Sequence, residues 1–383
     1  MNHELVFGPL ALELNPGAMA GSGSGRGTEP LAVSFNSAAM PDGARAILGS
    51  LPGACFGRAP GEAREVLYIG ATELDRSTRD CPSAEVLLEA QKCLEREPDR
   101  PEIMGVINVT PDSFSDGGKF LDPQSAVEHG LRMASEGASI LDVGGESTRP
   151  GARAVAEADE MHRVLPVVRD LARQTSARIS IDTTKASVAR AALDAGATIV
   201  NDVSAGEADE KMLDLIAEQG CQYVLMHKRG QPENMQEDPR YDDAPSEVLS
   251  YLRGRVAECM DRGIDASRLL VDPGIGFGKR LEHNTALLRR LPELRSLGLP
   301  ILVGVSRKSF IGHIAGDGAD RSRRLGGTAA AVTACVLSGA QVLRVHDVAE
   351  MSETIQVATA LRWPHSPRSS RAEKGMRTPC PST

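Results

Sequence analysis

The sequence predicts an α/β protein: a (β/α)8 TIM barrel with a small N-terminal α/β extension. Eight short apolar runs each stop at a polar residue able to do chemistry. Asn108 follows residues 103–107, Asp142 follows 139–141, Asp182 follows 179–181, Asn201 and Asp202 follow 198–200, and His227 follows 222–226. Further on, Asp272 follows 269–271, Ser306 to Ser309 follow 301–305, and Arg344 with His346 closes 341–343. Amphipathic stretches alternate with these runs, and glycines (Gly137, Gly196, Gly220, Gly263, Gly298, Gly339) stand between each stretch and the next run. Glycine favours the position past a helix end. Eight strands alternating with helices form such a barrel, and its strand ends converge on one mouth. A doubly wound open sheet reads similarly over a few units, but gives no reason for every strand end to be polar.

Residues 1–100 read as the extension, a small α/β cap with strands at 31–35 and 66–69, helices at 42–51 and 84–94, and a glycine-rich link at 17–27. Its polar residues form no interpretable constellation. Residues 101–361 supply the roughly 250 residues that a barrel needs. Within them, Met161, Val164, Leu165, Val168 and Leu171 fall at helical spacing, as do Val248, Leu249, Leu252, Val256 and Cys259. Such stripes are core faces. Residues 362–383, rich in Pro, Ser and Arg and without apolar periodicity, are expected to be a disordered basic tail.

Five basic residues and one acidic leave that tail at +4 and the remainder at −13, for a whole chain of −9. So acidic a body makes nucleic acid an unsuitable partner. No apolar run approaches the roughly 20 residues of a membrane span, and the first ten residues lack the basic start of a signal peptide. A cytoplasmic location is expected. The seven cysteines are scattered without a C-x-x-C pair, which argues against a disulfide framework and a structural zinc site; Cys221, Cys259 and Cys335 read as core.

Three loops carry the chemistry. Residues 108–118 (NVTPDSFSDGG) crowd hydroxyls, carboxylates and glycines around Phe114. Residues 142–151 (DVGGESTRPG) place glycines for close backbone approach beside Arg149, whose planar fork suits phosphate. Residues 272–279 (DPGIGFGK) follow the sixth run. With Ile181-Asp182-Thr183, Leu225-Met226-His227, Ser306-Arg307-Lys308-Ser309 and residues 344–348 (RVHDV), these strings in this order closely resemble the dihydropteroate synthases, the folate-pathway enzymes inhibited by sulfonamides. The resemblance runs from about Ile103 to Met351. Lys228-Arg229 departs from it, since a Met more usually follows the His, and residues 37–72 look like the extension of longer family members.

The resemblance implies condensation of 6-hydroxymethyl-7,8-dihydropterin diphosphate with p-aminobenzoate to 7,8-dihydropteroate. A dihydropterin edge needs acceptors and one cationic donor, which Asp182, Asn201, Asp272 and Lys308 supply. Asn108, Arg149, Arg344 and His346 are implied to hold the diphosphate, with Asn108 also helping to hold Mg²⁺ through oxygen. Phe114, Thr148, Pro150, Phe277 and Ser309 are expected around p-aminobenzoate, with Ser309 at a helix start that offers free N–H groups to its carboxylate.

No nucleophile triad is evident, and the arylamine is itself a nucleophile, so no covalent enzyme intermediate is needed. Dissociation first is expected, with Asp182, Asp116 and Lys308 as catalytic residues and the two carboxylates stabilising a pterin methylene cation; a concerted displacement stays open. A pterin-dependent methyltransferase acting on a corrinoid protein would share the pterin carboxylates, but has no use for Arg149, Arg344 and His346. A degenerate, non-catalytic barrel should have lost part of the set. The partners expected are small-molecule substrates and, as a homodimer, a second copy of the chain.

Overall fold

The computed structural model describes residues 30–35, 55–58, 65–70, 100–110, 123–147, 152, 154–230, 235–316 and 324–362. Strands β1 (Pro30–Phe35), β2 (Cys55–Arg58) and β3 (Glu65–Gly70) form an antiparallel sheet in the order β1-β3-β2. The two strands expected in the extension are present, joined by a third that the sequence did not announce; the helices expected at 42–51 and 84–94 lie outside the described residues.

Eight parallel strands make the barrel: β4 (Glu102–Asn108), β5 (Ile140–Gly144), β6 (Arg178–Asp182), β7 (Ile199–Asp202), β8 (Gln222–Met226), β9 (Leu269–Asp272), β10 (Leu302–Val303) and β11 (Val342–Val345). They neighbour one another in the order β10-β11-β4-β5-β6-β7-β8-β9, and a parallel bridge from Val271 to Ile301 joins the two ends. Helices α1 (Pro123–Glu136), α2 (Glu157–Gln174), α3 (Ala186–Asp194), α4 (Met212–Gln219), α5 (Ala244–Asp261), α6 (Leu281–Arg289), α7 (Ser309–Ala315), α8 (Leu325–Leu337) and α9 (Val348–Arg362) follow the strands, two of them between β10 and β11. The six punctuating glycines all adopt positive φ, as the sequence requires.

A large cluster fills the space between strands and helices, with Val164, Val168 and Leu171 of α2 and Val248, Leu252 and Cys259 of α5 fully buried in it. Cys221 is only partly buried, at the edge of that core. A second cluster, Met104, Ile140, Ile199, Val224, Leu270, Leu302 and Val342, plugs the barrel interior. Side chains alternate faces along a strand, so two residues onward the inward position returns. On β5, β7, β9 and β11 it is then occupied by Asp142, Asn201, Asp272 and Arg344, while Val106, Met226 and Gly304 hold it on β4, β8 and β10; on β6 Asp182 follows the buried Ser180 in the same way. The apolar plug and the polar layer above it are one register.

That register corrects two strand ends. Asp142 does not terminate its strand, which runs on to Gly144, and Arg344 lies inside β11. Both interrupt the apolar pattern because they face the interior one layer above the plug, where charged partners meet them.

Candidate active site at the barrel mouth

Strand pairing lines up one side of the mouth. Asn108 pairs with Gly144, Gly144 with Asp182, and Asp182 with Asn201, giving a row across four strands. Gly144 leaves room there: a Cβ would stand 3.4 Å from that of Asp182.

Arg344 reaches across the interior to this row. Its Nε donates to Asp142 Oδ2 at 2.7 Å and its Nη2 to Asp182 Oδ2 at 2.8 Å. Asn201 Nδ2 donates to the same Asp142 oxygen at 3.0 Å. Burial raises the Asp182 carboxyl to about 7, against the pull of Arg344, while Asp142 and other carboxylates add to the rise. For Arg344 burial works the other way, and the carboxylates of Asp142 and Asp182 outweigh it to hold the guanidinium charged.

The opposite side is built from the segments after β9 and β10. Asp272 is buried, which raises its pKa, and its Oδ1 accepts the Gly274 N–H at 2.7 Å, so it closes a turn rather than capping a helix. The Lys308 ammonium lies 4.3 Å from the centre of the Phe277 ring. Burial lowers it to about 8, with Asp272 opposing the fall and Arg344 adding to it. Arg307, just before, is a non-glycine residue at φ 57°, held by Thr328 Oγ1 on its N–H, by Arg324 on its carbonyl and by an ion pair to Asp347. This left-handed step aims Lys308 into the site, and costs energy that the three contacts offset.

His346 and Ser306 lock together at the rim: the His346 N–H donates to Ser306 Oγ at 3.2 Å, and Nδ1 stands 3.1 Å from that oxygen. Ser309 begins α7 as expected, and is exposed.

The segments after β8 and β9 are knitted together. Lys279, buried, stands 2.9 Å from His227 Nδ1 and donates to the carbonyls of His227, Gly274 and Phe277 at 3.2, 2.8 and 3.0 Å. Burial, then Lys279 and Arg229, drives the His227 imidazole down to about 2, so it is neutral. Of the departing pair Lys228-Arg229, the structure accounts for the second residue and gives no explanation of Lys228. Arg229 stacks 3.9 Å over the Tyr241 ring and donates to Glu247 at 2.9 Å, which directs it to the outer loop.

Asp182, Asn201, Asp272, Lys308, Arg344 and Phe277 thus surround one mouth, with Asn108, His346 and Ser309 on its rim. Phe114, Asp116, Thr148, Arg149 and Pro150 lie outside the described residues. Sequence reasoning assigned no role to Asp142, Lys279 or the buried Glu160, to which Lys185 is bonded together with Glu146. The two-residue step from Ile140 could have marked Asp142; Lys279 stood inside the 272–279 string without an assigned role and Glu160 gave no local signal, because His227 and Lys185, which they meet, lie 52 and 25 residues away in the chain. Among the described residues no group of three or more His, Cys, Asp or Glu side chains is arranged to hold a metal ion.

A family model described as pterin binding enzyme matches residues 104–346. The Mycobacterium leprae dihydropteroate synthase is 49% identical over 270 residues, covering 69% of this chain and 94% of that protein. Two solved structures of the Xanthomonas albilineans enzyme, one with 4-aminobenzoic acid and one with 7,8-dihydropteroate, are 46% and 43% identical with TM-scores of 0.66 and 0.63. Each covers 70% of this chain and 95% of its own.

A closed parallel barrel with this polar layer at its mouth is the fold of a pterin-binding enzyme. Within that class the chain belongs to the dihydropteroate synthases, transferases of folate synthesis that condense 6-hydroxymethyl-7,8-dihydropterin diphosphate with p-aminobenzoate to give 7,8-dihydropteroate and diphosphate.

Proposed function

We propose that the mouth performs this condensation with the pterin edge on Asp182, Asn201, Asp272 and Lys308. The observation that carries the reading is the set of groups gathered at one mouth: buried Asp182, Asn201 and Asp272 as acceptors for the pterin N–H donors, and the Lys308 ammonium, which feels the charges of Asp272 and Asp182, for its carbonyl. Diphosphate is assigned to Asn108, Arg149, Arg344 and His346. Arg344 spends two N–H groups on Asp142 and Asp182, and its remaining N–H groups would donate to the phosphate.

Mg²⁺ fits this donor set, because it keeps several waters and takes one or two protein oxygens together with phosphate oxygens. Asn108 would hold it, and it would neutralise charge on the departing diphosphate. A protein cage of acidic ligands is not needed for that role.

p-Aminobenzoate is assigned to Phe114, Thr148, Pro150, Phe277 and Ser309, with the Lys308 stem against the ring. The small molecules held by the X. albilineans relative support the same pocket here. The course proposed is SN1-like. The C–O bond to diphosphate breaks first; Asp182 and Asp116 stabilise the methylene cation; the arylamine nitrogen attacks and loses a proton. Residues 101–361 carry this chemistry, residues 1–100 form a separate extension, and residues 362–383 a tail.

A cytoplasmic homodimer is the setting proposed. No helix among the described residues is long and apolar enough to cross a membrane, and Leu325, Leu337, Val357 and Leu361 leave apolar surface on α8 and α9 for a second copy. The test is direct: purified protein with both substrates and Mg²⁺ should form dihydropteroate and release diphosphate. Methyl transfer to a corrinoid protein without pteroate formation would overturn the reading.

A further inference from the structure

Asp142 is completely buried in the barrel interior, one layer above the apolar plug, and none of the roles assigned above uses it. Its Oδ1 meets no donor among the described residues. Its Oδ2 takes two, Arg344 Nε at 2.7 Å and Asn201 Nδ2 at 3.0 Å. Asp142, Asn201 and Arg344 stand on β5, β7 and β11, alternate strands of the barrel, which contribute side chains to a shared interior layer.

An asparagine amide is a donor at one end and an acceptor at the other, and the two ends have nearly the same shape. Nothing in the side chain itself decides which end faces a ligand. Here Arg344 can only donate, so the oxygen it meets on Asp142 must accept; that same oxygen then requires the NH2 end of Asn201. Turning the amide over would set its carbonyl against the carboxylate oxygen and lose the hydrogen bond, leaving buried polar atoms unpaired. Asn201 Oδ1 is therefore the end left over, and it accepts nothing among the described residues.

We infer that Asp142 is a positioning residue for pterin recognition: it relays the donor character of Arg344 to Asn201 and fixes the Asn201 amide so that its oxygen reads an N–H of the ligand. This rests on the assignment of Asn201 to the pterin edge. Asp142 itself need not touch the ligand. The relay makes a prediction that general destabilisation does not share, because its effect must pass through Asn201 and must survive any substitution that keeps an oxygen at the Oδ2 position.

The experiment is a double-mutant cycle on the full-length protein, with the Kd of 6-hydroxymethylpterin, which lacks phosphates, measured by titration calorimetry. Thermal melts check the fold. Asp142→Leu should weaken binding about 10-fold, the size of a lost buried hydrogen bond. Asp142→Asn keeps an accepting oxygen that Arg344 orients, and should stay within about threefold of the parent. In an Asn201→Ala background, Asp142→Leu should cost little more. Should leucine prevent folding, Asp142→Ala runs the same cycle without added bulk. Full additivity of the two losses, or an Asp142→Asn loss as large as that of Asp142→Leu, overturns the relay. Parent-like affinity of Asn201→Ala alone is a different result, and overturns the pterin assignment beneath it.

Discussion

Arg344 and Asp182 meet at 2.8 Å across the barrel interior, the guanidinium rising from the eighth barrel strand and the carboxylate from the third. Each controls the other. Burial would neutralise Asp182 at physiological pH, and Arg344 is the nearest group that favours its carboxylate. A guanidinium buried among Asp142 and Asp182 stays charged in turn. The pair is therefore poised: an anion held beside the position proposed for a developing cation, by a group that is also proposed to meet the leaving phosphate.

Asp182→Asn keeps one acceptor for the pterin and removes the charge. The expected result is a fall in kcat of roughly 10²-fold, about 3 kcal/mol in the transition state, with unchanged circular dichroism. An unaltered kcat would make Asp182 a structural partner of Arg344 and no more.

The pH dependence follows from two groups. Asp182 must be ionised and Lys308 charged; burial puts the first at about 7 and the second at about 8. Activity should rise as pH passes the Asp182 value and fall as it passes that of Lys308, so kcat/KM of the free enzyme should be bell-shaped with a narrow top. In Asp182→Asn the acid limb should vanish. Stability has the opposite sign on that limb. A carboxyl raised from 3.8 to about 7 favours the fold when protonated, so its contribution is lost as pH climbs through that window. Denaturant midpoints at several pH values would show it.

Removing Mg²⁺ with EDTA should abolish coupling. Arg344→Ala and Arg149→Ala should each weaken binding of the pterin diphosphate more than that of a pterin lacking phosphates. Calorimetry that finds both ligands weakened equally would place these arginines outside the phosphate site.

Thr148, Arg149 and Pro150 are consecutive, so the residues proposed for the benzoate pocket and for the phosphate share one segment. A sulfonamide, which copies the amine, ring and anionic head of p-aminobenzoate, is expected to bind after pterin and diphosphate with Mg²⁺, and the free enzyme hardly at all. Equal sulfonamide affinity with and without those ligands would mean a preformed pocket.

Gly274 and Gly278 sit where the segment after β9 presses on that after β8. A Cβ would lie 1.9 Å from the His227 carbonyl oxygen at the first and 2.0 Å from that of Arg229 at the second, and both residues have positive φ. Gly274→Ala should therefore cost about 2 kcal/mol or more of stability, read as a lower Tm. It should raise KM for the pterin as well, because Asp272 accepts the Gly274 N–H.

The sequence by itself determined the barrel, its eight strands and most of its mouth, because each of those depends on a local pattern. Apolar runs of strand length, helical stripes such as Val164, Val168 and Leu171, and glycines at positive φ after helices are all read within about 20 residues of chain. The same locality made Asp182, Asn201, Asp272 and Lys308 legible as polar interruptions in known motifs. Only the tertiary structure decided how they are used. Closure of the barrel brings Arg344 against Asp142 and Asp182, which precede it by 202 and 162 residues, and places Lys279 on His227, 52 residues away. It also moved Asp142 and Arg344 from expected strand ends into the interior of their strands. Inward register is a property of the closed sheet: whether a polar residue ends a strand or faces its core depends on the partner across the barrel, and that partner is set by folding alone.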